Sequence, residues 1–566
     1  MERRWRRFFF SHRGRDPKIR KGMMVKQRPA YDVPAAQPAS RSSLRPAPMR
    51  RLLVIAAAVE VFLLALMAVA PLGGVTQTIS PLARAWPWLL APARLIFGDG
   101  RVGAHISAER GWPALALYAA LLVGASAVAA LALPLCRRCQ GADRRHLALA
   151  LGGAAILGAT LMLLPTLPSD DIFSYILYGR ISVIHGANPL ITAPSAFPHD
   201  PFLRLVFWRG TRSVYGPFWL LLSAGLTRLA QALGGSLATY VLLFKLTGWF
   251  AHLANAALIW GILGRIAPRR RLLGTLLYAW NPLCLLEFCA SAHNDAVMLT
   301  FALLGVYCLV RGWELPALVA FGLSISTKYV LLALLPFYLV YAARQALDHR
   351  ESLWRVAVAG AAAWRLAVVL GVVALTALPY WGGPQTLGAI FYSPPAQQLD
   401  NSLLEVLQWP LRALAQALGM SRAGAASLVQ SGLKITGLLA FFAIWLWHLR
   451  RVRDLNGLLR AWAWVLFWYV VVASGWFWPW YVTWAIALVA LLPWGELSGA
   501  ALLLAGGVLT LYAFLPLYAA PVYGVRAWLA FMPALGYLAW RRWDGKSLVR
   551  MMVKRVSERP LSGARP

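Results

Sequence analysis

The stretch Leu147–Leu167, LALALGGAAILGATLMLLPTL, decides the fold. It carries no charge. A helix rises about 1.5 Å per residue, so a run of this length crosses a hydrocarbon core about 30 Å thick. Adjacent acids follow almost at once, in Ser169-Asp170-Asp171. Similar apolar runs recur through a chain of 566 residues, 60% of them hydrophobic and 27 of them Trp. The pattern predicts an all-α polytopic membrane protein with about 13 to 15 transmembrane helices, and it excludes a soluble class.

The formal net charge of +34 invites a nucleic-acid reading, but its distribution argues against one. Residues 1–51 hold 15 Lys and Arg against 3 Asp and Glu, and residues 541–566 hold 8 against 2. Just over half of the excess therefore sits on the two ends. Basic flanks of this kind mark the cytoplasmic side and attract anionic lipid headgroups. The expected partners are membrane lipids, not nucleic acid. Three parts follow: a disordered basic tail over residues 1–50, a transmembrane domain over 51–540 and a second basic tail over 541–566. The outer loops of the domain are 71–111, 169–216 and 380–431. The expected location is a plasma membrane crossed many times, with both termini cytoplasmic. Cys136-Arg-Arg-Cys139 has metal-like spacing, but no second pair completes a site. Reduced thiols at a helix end are the plainer reading.

Spans Leu52–Ala70, Trp112–Leu135 and Leu147–Leu167 alternate across the bilayer, with Arg137, Arg138, Arg144 and Arg145 marking the cytoplasm. Asp170 and Asp171 then face outward. Runs 218–234 and 240–263 create a conflict, because two crossings would put Arg265–Arg271 on the wrong side. The run 314–343 is too long for one span and splits at Ser326-Thr327-Lys328.

Asp171–Ile184 sorts by chemistry at helical spacing. Asp171, Ser174, Tyr175, Tyr178, Ser182 and His185 share one face, and Ile172, Phe173, Ile176, Leu177, Val183 and Ile184 share the other. This predicts an interfacial helix in an outer loop, with its apolar face in lipid. The topology gathers Asp170, Asp171, Tyr175, Arg180, His185, Asn188, Arg209, Arg212, Tyr215, His293, Asp295, Lys328 and Asp400 on one side. A carboxylate can deprotonate an attacking hydroxyl, and Arg or Lys can take up the charge of a phosphate leaving group. Arg180 could snorkel to the headgroup level.

Each signal has a plainer alternative. Ser169, Asp170 and Asp171 could cap a helix and meet its dipole. His293-Asn294-Asp295 could be a turn, and Lys328 a snorkelling lysine. Trp476-Phe477-Trp478-Pro479-Trp480-Tyr481 reads as an interfacial aromatic belt before a sugar platform. Tyr215-Gly216-Pro217 reads mainly as helix-start geometry. Lys245 and Glu287, inside or beside apolar runs, suit a transporter or lipid-linked-sugar flippase.

An ordered set of motifs sharpens the choice: Ser169-x-Asp171-x-x-Ser174-Tyr175 with Gly179, Asn188-Pro189, Trp208-Arg209-x-Thr211-x-x-x-Tyr215-Gly216-Pro217, Asn281-Pro282, His293-Asn294-Asp295 and Lys328. Over roughly residues 150–345 the chain resembles the actinobacterial α-(1→6)-mannopyranosyltransferases of the GT-C superfamily of polyprenol-phosphate-mannose-dependent enzymes. The resemblance implies an outer-face active site, a polyprenyl-phosphate sugar donor (usually mannose), a glycan or glycolipid acceptor and inversion at the anomeric carbon. It implies Asp171 as general base, with Asp170 as helper or cap. It also implies an acceptor-orienting role for Asp295, beside His293 and Asn294, and a donor-phosphate role for Lys328. Tyr175, Asn188 and Tyr215 join the candidate binding set, and phosphate roles for Arg180, Arg209 and Arg212 are inferred from their charge. No cofactor is fixed by the sequence, and metal dependence stays open: two adjacent acids could hold a divalent metal weakly, and a monophosphate leaving group with Arg and Lys support could do without one.

Overall fold

The computed structural model describes residues 49–75, 78–103, 108–137, 142–347, 354–388, 398–514, 524 and 526–557. Most of the two basic tails, Cys139 and Phe391–Pro395 lie outside them. The described residues form helices and no strands beyond three isolated bridges.

The helices are α1 (Met49–Val69), α2 (Gly111–Arg137) and α3 (Arg144–Met162), then α4 (Asp171–Val183), α5 (Pro217–Ala232) and α6 (Leu237–Ile266). A bent pair follows, α7 (Pro268–Ala279) and α8 (Pro282–Ala290), then α9 (Asp295–Val310), α10 (Glu314–Thr327) and α11 (Leu335–Leu347). The rest are α12 (Ala362–Tyr380), α13 (Leu403–Ala417), α14 (Arg422–Leu449), α15 (Leu455–Ala473), α16 (Pro479–Val489), α17 (Glu496–Phe514) and α18 (Arg526–Ser557).

The starts follow local chemistry. Asp143 accepts the amides of Arg145 and His146 and opens α3 with a capping box. Ser236, Ser421 and Asp454 cap α6, α14 and α15 in the same way. Pro217 and Pro282 occupy the first turn of α5 and α8, where a missing amide costs nothing.

Among the described residues eight helices, namely α1, α2, α3, α6, α12, α14, α15 and α17, are long and apolar enough to cross a membrane. The count is nine if α7 and α8, bent by 52°, form one broken span. The expected number was about 13 to 15. Several apolar runs fold into short helices instead. With 16 and 14 residues, α9 and α10 reach about 24 and 21 Å, short of a bilayer core. Apolar faces of α12 and α14 stay uncovered: only 6% of each apolar window is buried, as suits contact with lipid. At the other extreme, every residue from 272 to 299 is buried.

The expected interfacial helix is α4, and here the structure corrects the reading. Every residue from Ile172 to Ile181 is buried, on both faces. Protein covers the side that was expected to meet lipid. α5 packs so closely on α4 that a Cβ on Gly179 would strike the Ser223 carbonyl and the Thr227 hydroxyl.

The break at Lys328 is where the sequence predicted it. α10 ends at Thr327, and Lys328 is extended. The start of α5 docks there. The Gly216 amide donates to the Thr327 carbonyl at 3.1 Å, and the Phe218 amide donates to Ser326 Oγ at 3.1 Å. A Cβ on Gly216 would collide with the Ser326 carbonyl. Gly216→Ala should therefore destabilise the protein by about 1–3 kcal/mol, the usual range for overpacking. Gly225, in the same helix, has open space at its Cβ position. Gly225→Ala should be neutral or stabilising by up to about 1 kcal/mol. Thermal unfolding of the two purified variants checks the contrast.

Candidate active site

The site begins where α4 begins. Ser169 Oγ accepts the Asp171 amide at 3.3 Å, so Ser169 supplies the cap. Asp170 stands at the cap position but its side chain makes no cap bond. Thr78 bonds the Asp170 carboxyl, yet Oδ1 is buried without a hydrogen-bond partner.

The Asp171 side chain is 21% exposed. The Tyr215 hydroxyl donates to its Oδ2 at 3.2 Å, and His293 Nδ1 lies 4.0 Å from the same oxygen. The Tyr175 hydroxyl also approaches Nδ1, at 3.3 Å. Burial pushes the Asp171 carboxyl up to about 6, against the opposing pull of the Lys328 charge and the Tyr215 hydroxyl.

His293 sits in a constrained turn. The last turn of α8, Leu286–Ala290, has π-type hydrogen bonding, and Ala292 follows with φ at 58°. A left-handed alanine is uncommon, and both features recur at functional sites. The turn aims the imidazole between two acids: its Nε2 lies 3.3 Å from Glu287 Oε2. The Tyr512 hydroxyl holds the other Glu287 oxygen at 2.7 Å. The Trp480 ring covers the imidazole face, centroids 3.9 Å apart and planes 25° apart. Asn294 is fully buried, and neither of its side-chain polar atoms has a partner among the described residues.

Two residues beyond His293, Asp295 opens α9. Lys328 Nζ donates to both its oxygens, at 2.8 and 2.9 Å, and Trp484 Nε1 adds a third bond at 2.5 Å. Lys328 is thus an ion-paired lysine, with Nζ 5.2 Å from the Tyr481 ring centroid and 5.4 Å from that of Trp484. An ammonium has three N–H donors, so one remains after both Asp295 oxygens are served.

The structure therefore unites Asp171, Tyr175, Tyr215, His293, Asp295 and Lys328. It leaves others apart. Arg180 does not reach a headgroup level. Its side chain is 8% exposed and bonds Asp200 through Nε and through NH2 at 2.9 Å, with NH1 on the Tyr240 hydroxyl. His185 Nε2 meets the same carboxylate at 2.8 Å. Burial pushes the Asp200 carboxyl up, but the bonds from Arg180, His185 and the Phe202 amide outweigh it and hold it below its ordinary value. Asn188 pins a turn through the Leu190 amide and the Tyr380 carbonyl. Arg209 is exposed and bonds the carbonyls of Val206 and Arg204, while Arg212 is exposed. Asp400 pairs with Arg526 at 2.6 Å. Lys245, buried in α6, donates to the Met162 carbonyl. Among the described residues no group of three or more His, Cys, Asp or Glu is arranged to hold a metal ion.

Three residues escaped the sequence reading, Asp200, Tyr512 and Trp484, while Trp480 was read as part of an interfacial belt. A signal existed for Asp200, one of only 21 acidic residues in the chain. For Tyr512, 225 residues from Glu287, there was none.

Fold and site together define an all-α polytopic membrane protein whose polar residues converge where short helices end. Residues 104–344 match the family model of the α-(1→6)-mannopyranosyltransferase N-terminal domain. The chain is 29% identical over 162 residues to an α-(1→6)-mannopyranosyltransferase of Mycobacterium tuberculosis, covering 27% of this chain and 26% of the relative. A probable α-(1→6)-mannopyranosyltransferase of Mycolicibacterium smegmatis is 29% identical over 160 residues, 27% of each chain. The chain thus spans about a quarter of the length of the curated relatives it matches. These matches bear out the resemblance read from the motifs. All six converging residues fall inside 104–344, whereas Trp480, Trp484 and Tyr512 fall beyond it.

The Arg180–Asp200 pair anchors the loop between α4 and α5. Asp200→Asn leaves a buried guanidinium without its counter-charge and should cost about 3–5 kcal/mol, read as a lowered midpoint of thermal or denaturant unfolding.

Proposed function

We propose that this protein is a membrane glycosyltransferase that moves a mannosyl unit from a polyprenyl-phosphate donor to a hydroxyl of a glycan or glycolipid acceptor. The observation that carries the reading is the convergence of Asp171, His293, Asp295 and Lys328. Asp171 and His293 are 4.0 Å apart, Asp295 and Lys328 are 2.8 Å apart, and only Asn294 separates His293 from Asp295. Two residues of chain span at most about 7 Å, so base and cation act on one small volume.

The chemistry is a single inverting displacement. Asp171 takes the acceptor O–H proton, the oxygen attacks the anomeric carbon, and the bond from that carbon to the phosphate oxygen breaks. Polyprenyl phosphate leaves with the electron pair. Lys328 offers its remaining N–H to that phosphate, and Asp295 fixes the lysine. Tyr215 and His293 hold the base in place. Asp170 is a lesser partner, and Arg209 and Arg212, both exposed in the loop before α5, are further phosphate candidates. The names of the two mycobacterial relatives support mannose as the sugar.

The outer-face assignment draws support from helix lengths. α5 has only 16 residues. If it does not cross, one span separates the loop holding Asp171 from Arg265–Arg271, and that cluster joins Arg137 and Arg144 on the cytoplasmic side. The conflict over runs 218–234 and 240–263 then disappears. A flippase reading draws on one observation, the 52° break between α7 and α8 beside buried Glu287. The two readings separate in reconstituted vesicles, by transfer of label to acceptor against movement of label across the bilayer.

Asp171→Asn should lower transfer from labelled polyprenyl-phosphate mannose by about 10²–10⁴-fold, the usual share of a general base, without lowering the unfolding temperature. Retained turnover would remove Asp171 from the role. The base must be ionised, and its pKa is raised to about 6. Transfer should therefore fall as pH drops through about 6, where an ordinary aspartate would hold its charge to about 4. Lys328 pulls that pKa down. Lys328→Met should move the acid limb of kcat/KM to higher pH.

A further inference from the structure

The stretch Trp476–Tyr481, expected as an interfacial belt, is built into the protein beside the proposed base. Its backbone is tied to a second segment: the Asp400 amide donates to the Gly475 carbonyl at 2.8 Å, and the Phe477 amide donates to the Asp400 carbonyl at 3.0 Å. That second segment is locked in turn. Arg526, fully buried, bonds Asn401 at 2.8 Å, Asp400 at 2.6 Å and both oxygens of Glu405 at 3.0 Å. A belt of membrane-anchoring rings at a lipid interface needs no such fastening.

The rings form a continuous series. Trp208, in the loop before α5, meets Trp476 edge-on at 5.6 Å. Trp476 meets Trp478 at 5.8 Å, and Trp478 stacks on Trp480 at 5.2 Å with planes only 8° apart. Trp480 stacks on His293, which lies 4.0 Å from Asp171. Trp208, Trp476 and Trp478 are partly exposed, while Trp480 is buried. The series therefore runs from an open rim to the carboxylate. Next to His293 in the chain is Asn294, fully buried, whose side-chain amide has no partner among the described residues. A buried amide in that condition costs free energy unless a ligand or water completes it.

Flat aromatic faces with few polar atoms match the C–H faces of pyranose rings. We propose that Trp208, Trp476 and Trp478 form the subsite that holds the sugar rings of the acceptor glycan, delivering its reacting hydroxyl past Trp480 to Asp171. The proposal rests on the glycosyltransferase reading and names its acceptor class: a glycan of several linked pyranose rings, longer than one sugar. Because the rings are preorganised by the Asp400–Arg526 fastening, they hold the glycan without ordering a loop.

The test uses the full chain in lipid nanodiscs, with α-(1→6)-linked mannotetraose as the probe and calorimetry as the readout. Binding is measured in the Asp171→Asn background, where no turnover consumes the probe. Trp478→Ala and Trp208→Ala should each weaken binding about tenfold, the scale of one aromatic face lost. Trp478→Phe keeps a ring and should keep most of the affinity. Trp88→Ala, removing a ring 61% exposed elsewhere in the chain, should change nothing. With Asp171 restored, Trp208→Ala and Trp478→Ala should raise KM for the acceptor and leave KM for the donor unchanged. Unaltered affinity in both alanine variants, or a rise in donor KM instead, would overturn the subsite and mark the series as a lipid belt or donor-chain contact. Wild-type transfer to mannotetraose without dependence on these rings would overturn the subsite and leave the enzyme reading intact. Ring-dependent binding without any transfer would do the reverse.

Discussion

The contact on which the site depends is one backbone hydrogen bond, from the Gly216 amide to the Thr327 carbonyl. It brings the start of α5 against the end of α10, and only a residue without a Cβ allows the approach. Two consequences follow from this junction. Tyr215, one residue before it, delivers its hydroxyl to Asp171. Lys328, one residue after it, extends from the helix and meets Asp295. The motif Tyr215-Gly216-Pro217 is helix-start geometry, and that geometry is what brings the partners of Asp171 and Asp295 together.

The second constraint is the cost of charge in an apolar interior. A buried ion that lacks a partner is expensive, so most acids here are matched with cations. Asp200 has Arg180, Asp295 has Lys328, and Asp400 and Glu405 share Arg526. Asp171 is matched differently, by a tyrosine hydroxyl and an imidazole. Burial pushes its carboxyl up to about 6, as it also raises Asp400 and Glu405 beside Arg526, while the Lys328 charge and the Tyr215 hydroxyl pull it back. Asp170 and Asp171 are adjacent in sequence and both are raised by burial, but their partners differ: Thr78 for Asp170, Tyr215 and His293 for Asp171.

How much of this was legible depended on distance along the chain. The helical character of the apolar runs and the break at Lys328 are local signals and fell where expected, although several of those runs formed helices too short to span. The two-faced pattern of α4 was also legible, but not its environment. Periodicity separates polar from apolar faces and says nothing of what covers them, so a helix enclosed by protein reads like one lying in lipid. The partner of Arg180 lies 20 residues away, and those of Glu287 and Arg526 lie 225 and more than 120 away. Trp-rich segments suffer the same ambiguity. An interfacial belt and a stacked series share one composition, and only the fold shows Trp480 on His293.

The shortfall in spans and the position of the site have a common cause. Backbone that leaves a helix within a membrane protein must be covered by protein, because lipid cannot satisfy its amides and carbonyls. The chain from α7 through the start of α9 breaks at Asn281, loosens into a π-type turn and turns left-handed at Ala292. It does so inside the stretch that is buried without interruption from 272 to 299. Short helices such as α9 and α10 end inside the protein for the same reason, each with a charged side chain at its terminus. Asp295 and Lys328 occupy those two ends and neutralise one another. Two of the described helices too short to span, α9 and α10, are thus the ones that carry this ion pair into an apolar protein.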